Sequence, residues 1–172
     1  MKLVLAAVSG ILMAVAGPQG SQPVVVHQVM KQAILPHNQV LADLSTQAMD
    51  DDGKPDASKL GAAEWQKLIG AATAMREGAM KLATTPQLAV ALAGDKLQDE
   101  GSPGSATREQ MQKGIDADRK GFTEQSQALV DALDAVLAAA NAKDATKLLE
   151  ASGRVDETCQ SCHARFWYPP QG

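Results

Sequence analysis

Apolar residues recur along most of this chain with the period of an α-helix. Between residues 58 and 83 they stand alternately four and three positions apart, which places on one helix face Gly61, Trp65, Leu68, Ala72, Met75, Ala79 and Leu82. A second stripe between residues 107 and 140 contains Ile115, Phe122, Leu129, Leu133, Val136 and Ala140. β-branched residues are sparse and nowhere alternate with polar ones over the length of a strand. The pattern therefore predicts an all-α protein without strands.

Capping and breaking residues bound the predicted helices. The first begins near Ser21, a favourable N-cap, with Pro23 in its first turn. Pro36 should kink this helix, because the backbone ladder loses a donor there. The apolar face of the first helix contains Val26, Met30, Ala33, His37, Leu41 and Leu44. Turn residues at 50–56 end it, and the second helix spans residues 58–83.

The second half of the chain supplies two further helices. Residues 94–106 are predicted to be a solvated loop, and a capping-box sequence that starts at Thr107 opens a third helix, which runs to about residue 140. The fourth helix is predicted over residues 144–166, because the Pro-Pro pair at 169 prevents its continuation. Amphipathic helices with mostly short connections predict an antiparallel four-helix bundle.

The first sixteen residues form an export signal rather than part of the fold. Lys2 supplies a positive charge, the run from Leu3 to Ala16 is apolar or small, and it ends in an A-x-A cleavage pattern. Residues 1–16 are therefore predicted to be a cleaved signal peptide. A membrane anchor is the alternative, but the run is shorter than the ~20 residues that span a bilayer. We expect one mature domain over residues 17–172, periplasmic and without a membrane span.

The net charge of the chain indicates whether nucleic acid is a plausible partner. The chain has a formal net charge of −4, and removal of Lys2 with the signal peptide would make it −5. Nucleic-acid binding usually needs a basic face, so we expect no nucleic-acid partner.

Cys159, Cys162 and His163 form a CxxCH sequence, the pattern at which c-type haem is attached. Cysteines three apart on a helix face the same way, so each thiol can bond one vinyl group of the same porphyrin edge. The histidine follows on that face and can bind the iron. A disulfide is the default for two exported cysteines, but it leaves the histidine unexplained. A zinc site would need His27 or His37 as fourth ligand, and a thioredoxin-type pair would need a strand.

The second axial ligand should come from upstream, because the nine residues after His163 contain no Met, His, Lys or Cys. Met30 lies on the inward face of the first helix and is our candidate, since a thioether can bind haem iron. A methionine on an apolar face is otherwise a packing residue, and His27 and His37 are open alternatives. The expected cofactor is one covalently bound haem c.

Beyond this motif, the chain resembles the class II cytochromes c, which include cytochrome c′. The terminal CxxCH is the specific feature, and "VMKQAILPHNQVL" at 29–41 is similar to the first-helix segment of these proteins, with Met30 at the position that faces the iron. The resemblance implies a left-handed four-helix bundle, a covalent haem, and a role in electron transfer or in binding small gases. It also implies that a homodimer can form through the first two helices. The family often has an arginine four residues before the iron-facing position, where this chain has Val26.

The sequence thus leads to three functional hypotheses. With Met30 bound, the iron is six-coordinate and the protein is an electron carrier for unidentified periplasmic redox partners. Without Met30, a five-coordinate iron faces an apolar pocket that suits NO or CO. A peroxidase would need a distal acid–base group, for which only His27 or His37 is available. We hold this third hypothesis lowest and expect the protein not to be an enzyme.

Overall fold

The structure, a computed structural model, describes residues 22–168. The predicted signal peptide, Ser21 and the Pro-Pro pair at 169 lie outside these residues. Helices account for most of the described chain, and two very short strands pair with each other. Within residues 22–168, no helix is long and apolar enough to cross a membrane.

The secondary-structure elements form four helical rods. In chain order the elements are β1 (Val24–Val25), α1 (Val26–Val29), a π-helical segment (Met30–Ile34), α2 (Leu35–Gln47), a 3₁₀ turn (Ala57–Lys59), α3 (Ala62–Thr84), β2 (Leu88–Ala89), α4 (Arg108–Ala117), α5 (Arg119–Ala142) and α6 (Ala145–Phe166). The continuous run of α1, the π-helical segment and α2 is called the first rod below. α3 packs on α2 and α5, and α5 packs on α6. The predicted all-α four-helix bundle is confirmed.

The prediction of a chain without strands is wrong at two short places. β1 and β2 pair in parallel, with Val24 opposite Leu88. Pro23 precedes β1 instead of lying in the first turn of a helix, so the first rod begins at Val26. Consecutive valines favour an extended start, and the pairing ties the first rod to the residues that follow α3.

Pro36 changes the hydrogen bonding of the first rod in the turn before it. A proline has no N–H to donate to the carbonyl four residues back, so a regular α-helical ladder cannot run through this position. The chain adopts a π-helical turn, in which the N–H of Leu35 donates to the carbonyl of Met30, five residues earlier. The ring Nδ1 of His37 donates to the carbonyl of Ala33 at 2.9 Å. The predicted disturbance at Pro36 is confirmed, and it falls on the turn that carries Met30.

The prediction of one helix over residues 107–140 is wrong at Asp118. Its backbone leaves the helical region, with φ −133° and ψ 52°, and separates α4 from α5. Its carboxylate accepts a hydrogen bond from the N–H of Gly121 at 3.1 Å and forms an ion pair with Arg165 of α6. The apolar stripe continues through the break, since Ile115 and Phe122 are both buried, and for this reason the periodicity does not reveal it. The capping box at Thr107 is confirmed.

Two groups of buried residues make up the interior. The larger group lies between the rods and includes Leu41, Trp65, Leu68, Met75, Leu133, Val136, Leu148 and Val155. The second group includes Val26, Leu82, Val90, Leu97, Met111, Ile115, Phe122 and Phe166. Met30 packs against both groups. The predicted apolar seam of α3 is confirmed from Trp65 to Leu82, whereas Gly61 is exposed and serves as the N-cap of α3.

Gly78 and Gly70 of α3 provide a matched test of how closely α3 packs against the first rod. A methyl group at Gly78 would lie 2.9 Å from the Cβ of Ala33, whereas one at Gly70 would meet nothing within 4 Å. Gly70→Ala should raise the free energy of unfolding by about 0.5–1 kcal/mol through helix propensity. Gly78→Ala gains the same propensity but overpacks the contact, which costs about 1–3 kcal/mol. Denaturant unfolding should therefore rank Gly78→Ala below Gly70→Ala, and equal stabilities would contradict the tight contact.

Candidate functional site

The last helix brings the two cysteines of the CxxCH motif to the inside of the bundle. Asp144 caps α6 by accepting a hydrogen bond through its carboxylate. Leu148 and Val155 are buried on the inner face of this helix. Cys159 and Cys162 continue that face toward the C-terminal end of α6, in half-buried positions. The structure therefore places the two thiols on the stripe that points into the bundle.

These thiols open onto a cavity of about 570 Å³. Its wall is built by α3, α5, α6, the first rod and two residues of the loop before α4. Apolar side chains form much of this wall, among them Ile34, Ala79, Leu82, Phe122, Leu129 and Trp167. The volume falls within the roughly 300–1,000 Å³ range of pockets that enclose a small molecule or a cofactor. The bundle thus keeps an apolar space beside the thiols that its own side chains do not fill.

The four site residues predicted from the sequence all line this cavity: Cys159, Cys162, His163 and Met30. Met30 is the first residue of the π-helical segment that precedes Pro36. His27 also lines the cavity, and its ring Nδ1 lies 3.3 Å from a carboxylate oxygen of Asp95. His37 does not line the cavity, and its ring is bound to its own helix. The structure therefore removes His37 from the alternative ligands and keeps His27.

Burial sets the protonation of the motif residues in the chain without haem. It raises the pKa of Cys159, with a smaller contribution from the charge of Asp156. It raises the pKa of Cys162 to about 11, so both side chains are neutral thiols at neutral pH. Desolvation by neighbouring atoms lowers the pKa of His163, although the residue is exposed to solvent. A neutral imidazole is the form that binds a metal.

The geometry disfavours the two structural alternatives for the cysteines. Both cysteines are free rather than joined in a disulfide. In the part of the chain that the structure describes, no group of three His, Cys, Asp or Glu side chains is close enough together to hold a metal ion. A zinc site completed by His27 or His37 is therefore not assembled, and haem attachment is the use that fits the two thiols.

The lining of the cavity fits a haem in charge as well as in size. Its apolar wall suits a porphyrin ring, and the two propionate carboxylates of a haem need cations or N–H donors. In the described range 22–168, no carboxylate lines the cavity, whereas Lys31 and Lys96 do. The indole Nε1 of Trp167 is buried and has no hydrogen-bond partner among residues 22–168. An unpaired buried donor of this kind is expected where a bound group supplies the acceptor.

Residues 91–106, called the cover segment below, contribute to one side of the cavity wall. Asp95 pairs with His27 of α1, as described above. The guanidinium of Arg108, at the start of α4, donates to the carbonyl of Leu92 at 2.7 Å and also to the carbonyl of Asp95. These contacts hold the cover segment between the first rod and α4.

Two residues of the cover segment, Lys96 and Gln98, reach the cavity wall, and sequence reasoning misses both. The polar composition of the segment predicts only a solvated loop. One signal in the sequence does indicate a fixed position, because the segment contains the apolar Leu97, which is buried in the second core group.

Two thiols one turn apart beside an imidazole, facing an apolar cavity inside a helical bundle, define the site of a c-type haem protein. The family model of cytochrome c′ matches residues 61–167, and the chain belongs to the cytochrome c′ family. A solved structure of a cytochrome c′ aligns with a TM-score of 0.51 at 17% identity, covering 85% of this chain and 99% of that chain. This likeness supports the fold alone. The chain matches none of the curated proteins with which it was compared.

The predicted resemblance to cytochrome c′ is thus confirmed, but the family match covers only part of the predicted site. The matched residues include Cys159, Cys162 and His163. They begin after the first rod, so the match does not reach Met30, and iron ligation by Met30 stays a prediction.

The cavity leads us to expect that folding depends on haem. A chain made without haem has a cavity of about 570 Å³ beside α6 that must collapse or fill with water. Circular dichroism of this chain should show less helix than the haem-loaded protein, and its thermal unfolding should be less cooperative. Equal helicity and equal melting temperatures would contradict this expectation.

Proposed function

We propose that the protein is a periplasmic electron carrier with one covalent haem. In this proposal Cys159 and Cys162 attach the haem, and His163 and Met30 are the two axial ligands of its iron. The observation that carries the proposal is that the end of α6 and the π-helical segment bring these four residues to one cavity. Membership in the cytochrome c′ family supports the cofactor.

The two thiols hold the cofactor in place. Cys159 and Cys162 would hold the haem through thioether bonds to its two vinyl groups. Because Cys159 and Cys162 are three residues apart on α6, both bonds are made from one helix face. The haem then stays on the chain in both oxidation states.

The axial ligands favour electron transfer. A haem supplies the redox chemistry, whereas the chain supplies ligands, burial and orientation. Ligation by an imidazole and a thioether leaves the iron six-coordinate in both oxidation states, and the thioether raises the reduction potential. Two residues at the cavity wall are strongly exposed, Leu35 at 62% and Tyr168 at 44%. They leave an edge of the site open toward a redox partner.

The proposed location and partners rest on the predicted signal peptide. The apolar run with its A-x-A cleavage pattern supports export, and we propose that the partners are other periplasmic redox proteins. We propose no nucleic-acid partner for a chain with a net charge of −4. Pairing of two copies through the first rod and α3 is the oligomeric state that the resemblance supports.

Gas binding is the second candidate function. If Met30 does not bind the iron, its open position faces a wall that includes Ile34, Leu82 and Leu129, all of them apolar. These three side chains donate no hydrogen bond to a bound gas, which suits NO or CO better than O₂. A peroxidase would need His27 as its distal acid–base group, because His37 does not line the cavity, and we keep it as the third hypothesis.

Replacing the cysteines tests the covalent haem. Cys159→Ala and Cys162→Ala should each weaken attachment, and the double variant should largely abolish it, because each thiol makes one of the two bonds. Ser161→Ala, which changes an exposed residue between them, is the matched control and should keep the haem. The measurement is the haem that remains on the denatured polypeptide after extraction with acidified organic solvent. Haem that leaves the wild-type chain under these conditions would refute covalent attachment.

Met30→Ala separates electron transfer from gas binding. If Met30 binds the iron, the ferric wild type is low-spin with a weak near-infrared sulfur-to-iron band, and CO binds the ferrous form slowly. The variant should lose the band, bind CO fast and show a lower reduction potential, within the roughly 0.8 V range that axial ligands control. Met80→Ala is the control, because Met80 is partly buried on α3 and does not line the cavity.

The other outcomes of this experiment are equally informative. A wild type that is already high-spin and binds CO readily would make Met30 a packing residue and favour gas binding. A low-spin spectrum that persists in Met30→Ala would assign the ligand elsewhere, and His27 is then the residue to replace.

A further inference from the structure

Among residues 22–168, two lysines and two histidines line the cavity, and no carboxylate does. His27 and Lys31 come from the first rod, Lys96 comes from the cover segment, and His163 comes from α6. α3 and α5 contribute no ionisable side chain, since their lining residues are Ala79, Leu82, Phe122, Gln125, Ser126 and Leu129. The chain as a whole has 20 acidic and 16 basic residues, so a wall without any carboxylate is unlike the rest of the molecule. The cavity therefore favours a ligand that carries negative charge.

The two lysines of the wall are not neutralised by the protein. Among residues 22–168, neither Lys31 nor Lys96 has a carboxylate oxygen within ion-pair distance. The two histidines differ, because the ring of His27 is already paired with Asp95 and His163 is the proposed iron ligand. The lysines are the cations that remain available to a bound anion.

Trp167 adds an independent sign of a ligand. Its Nε1–H is buried and lacks an acceptor in the described part of the chain, and the residue lines the cavity. Buried indole N–H groups normally find a partner, since an unpaired donor loses its hydrogen bond to water. The porphyrin nitrogens of a haem are bound to iron, so its propionate carboxylates are the acceptors that it can offer this donor.

The cover segment brings Lys96 to the end of α6 that carries Trp167. The backbone N–H of Ala106 donates to the carbonyl of Trp167 at 2.9 Å. The hydroxyl of Tyr168 donates to a carboxylate oxygen of Asp99 at 3.4 Å. These two contacts fix the cover segment against the C-terminal end of α6. Lys31, in contrast, lies in the π-helical segment next to Met30.

We propose that Lys96 and the indole N–H of Trp167 bind one propionate carboxylate of the haem. The inference rests on the covalent haem proposed above and holds for both an electron carrier and a gas-binding protein. It gives the cover segment a role, because its hydrogen bonds to Arg108, Tyr168 and Trp167 place a cation at the cavity wall. Lys96 and Trp167 are thus positioning residues for the cofactor.

The test measures the pKa of the propionates directly. Haem labelled with ¹³C at its propionate carboxyl carbons shifts their infrared bands away from those of Asp and Glu, and the bands are followed against pH in the haem-loaded protein. A cation within about 4–6 Å lowers a carboxyl pKa by about 1–3 pH units, so Lys96→Gln should raise the pKa of one propionate by that amount. Trp167→Phe keeps an aromatic ring but removes the donor, and it should raise the same pKa by less.

Lys113→Gln is the matched control, because Lys113 is exposed on α4 and does not line the cavity. It should leave both propionate pKa values unchanged. If Lys96→Gln behaves like this control, or if Lys31→Gln produces the shift instead, the assignment to Lys96 is overturned. An unchanged pKa in Trp167→Phe overturns the assignment to the indole. If the purified chain carries no labelled haem, haem attachment itself is refuted. If the chain carries the labelled haem but the propionate pKa values do not change in the variants, this inference alone is refuted.

Discussion

The position of the CxxCH residues on α6 is the constraint on which the rest of the site depends. α6 ends at Phe166, three residues after His163. This helix can therefore form only one side of the wall of a cofactor site. The remaining wall has to come from elements that are earlier in the chain. α3 and α5 provide apolar residues, the first rod provides Met30, and the cover segment provides Lys96. The bundle therefore surrounds a cavity: α6 forms one side of its wall, and the elements earlier in the chain form the rest.

The first rod shows how one residue type fixes a functional position. Pro36 cannot donate a backbone hydrogen bond, and the turn before it widens into a π-helix that begins at Met30. α3 fits closely against this turn, because Gly78 leaves room for the side chains of Ala33, Ile34 and Val29. Local chemistry and tertiary packing thus act on the same turn, and this turn brings Met30 to the cavity wall.

Polar contacts hold in place the parts of the site that apolar packing between the helices does not fix. Asp118 ends α4, caps α5 and pairs with Arg165, which joins the break between α4 and α5 to the end of α6. The cover segment is fixed by Asp95 to the first rod and by Asp99 to the C-terminal end of α6. These groups are only partly buried or exposed, so each pair contributes modestly to stability. Their main effect is to place the residues between them.

The sequence by itself determined the helical fold, the seam of α3 and the cofactor class. These features depend on local spacing: a period of three and four residues makes a helix face, and CxxCH places two thiols and an imidazole on one face. Only the tertiary structure decided that His27 faces the cavity while His37 does not, although both lie on the same rod. It also decided the break at Asp118, where the apolar stripe runs on unchanged, and the pairing of β1 with β2. Above all, the tertiary structure brought Lys96 and Trp167 to one cavity wall. The sequence could not predict this, because contacts between residues some seventy positions apart leave no periodic pattern along the chain.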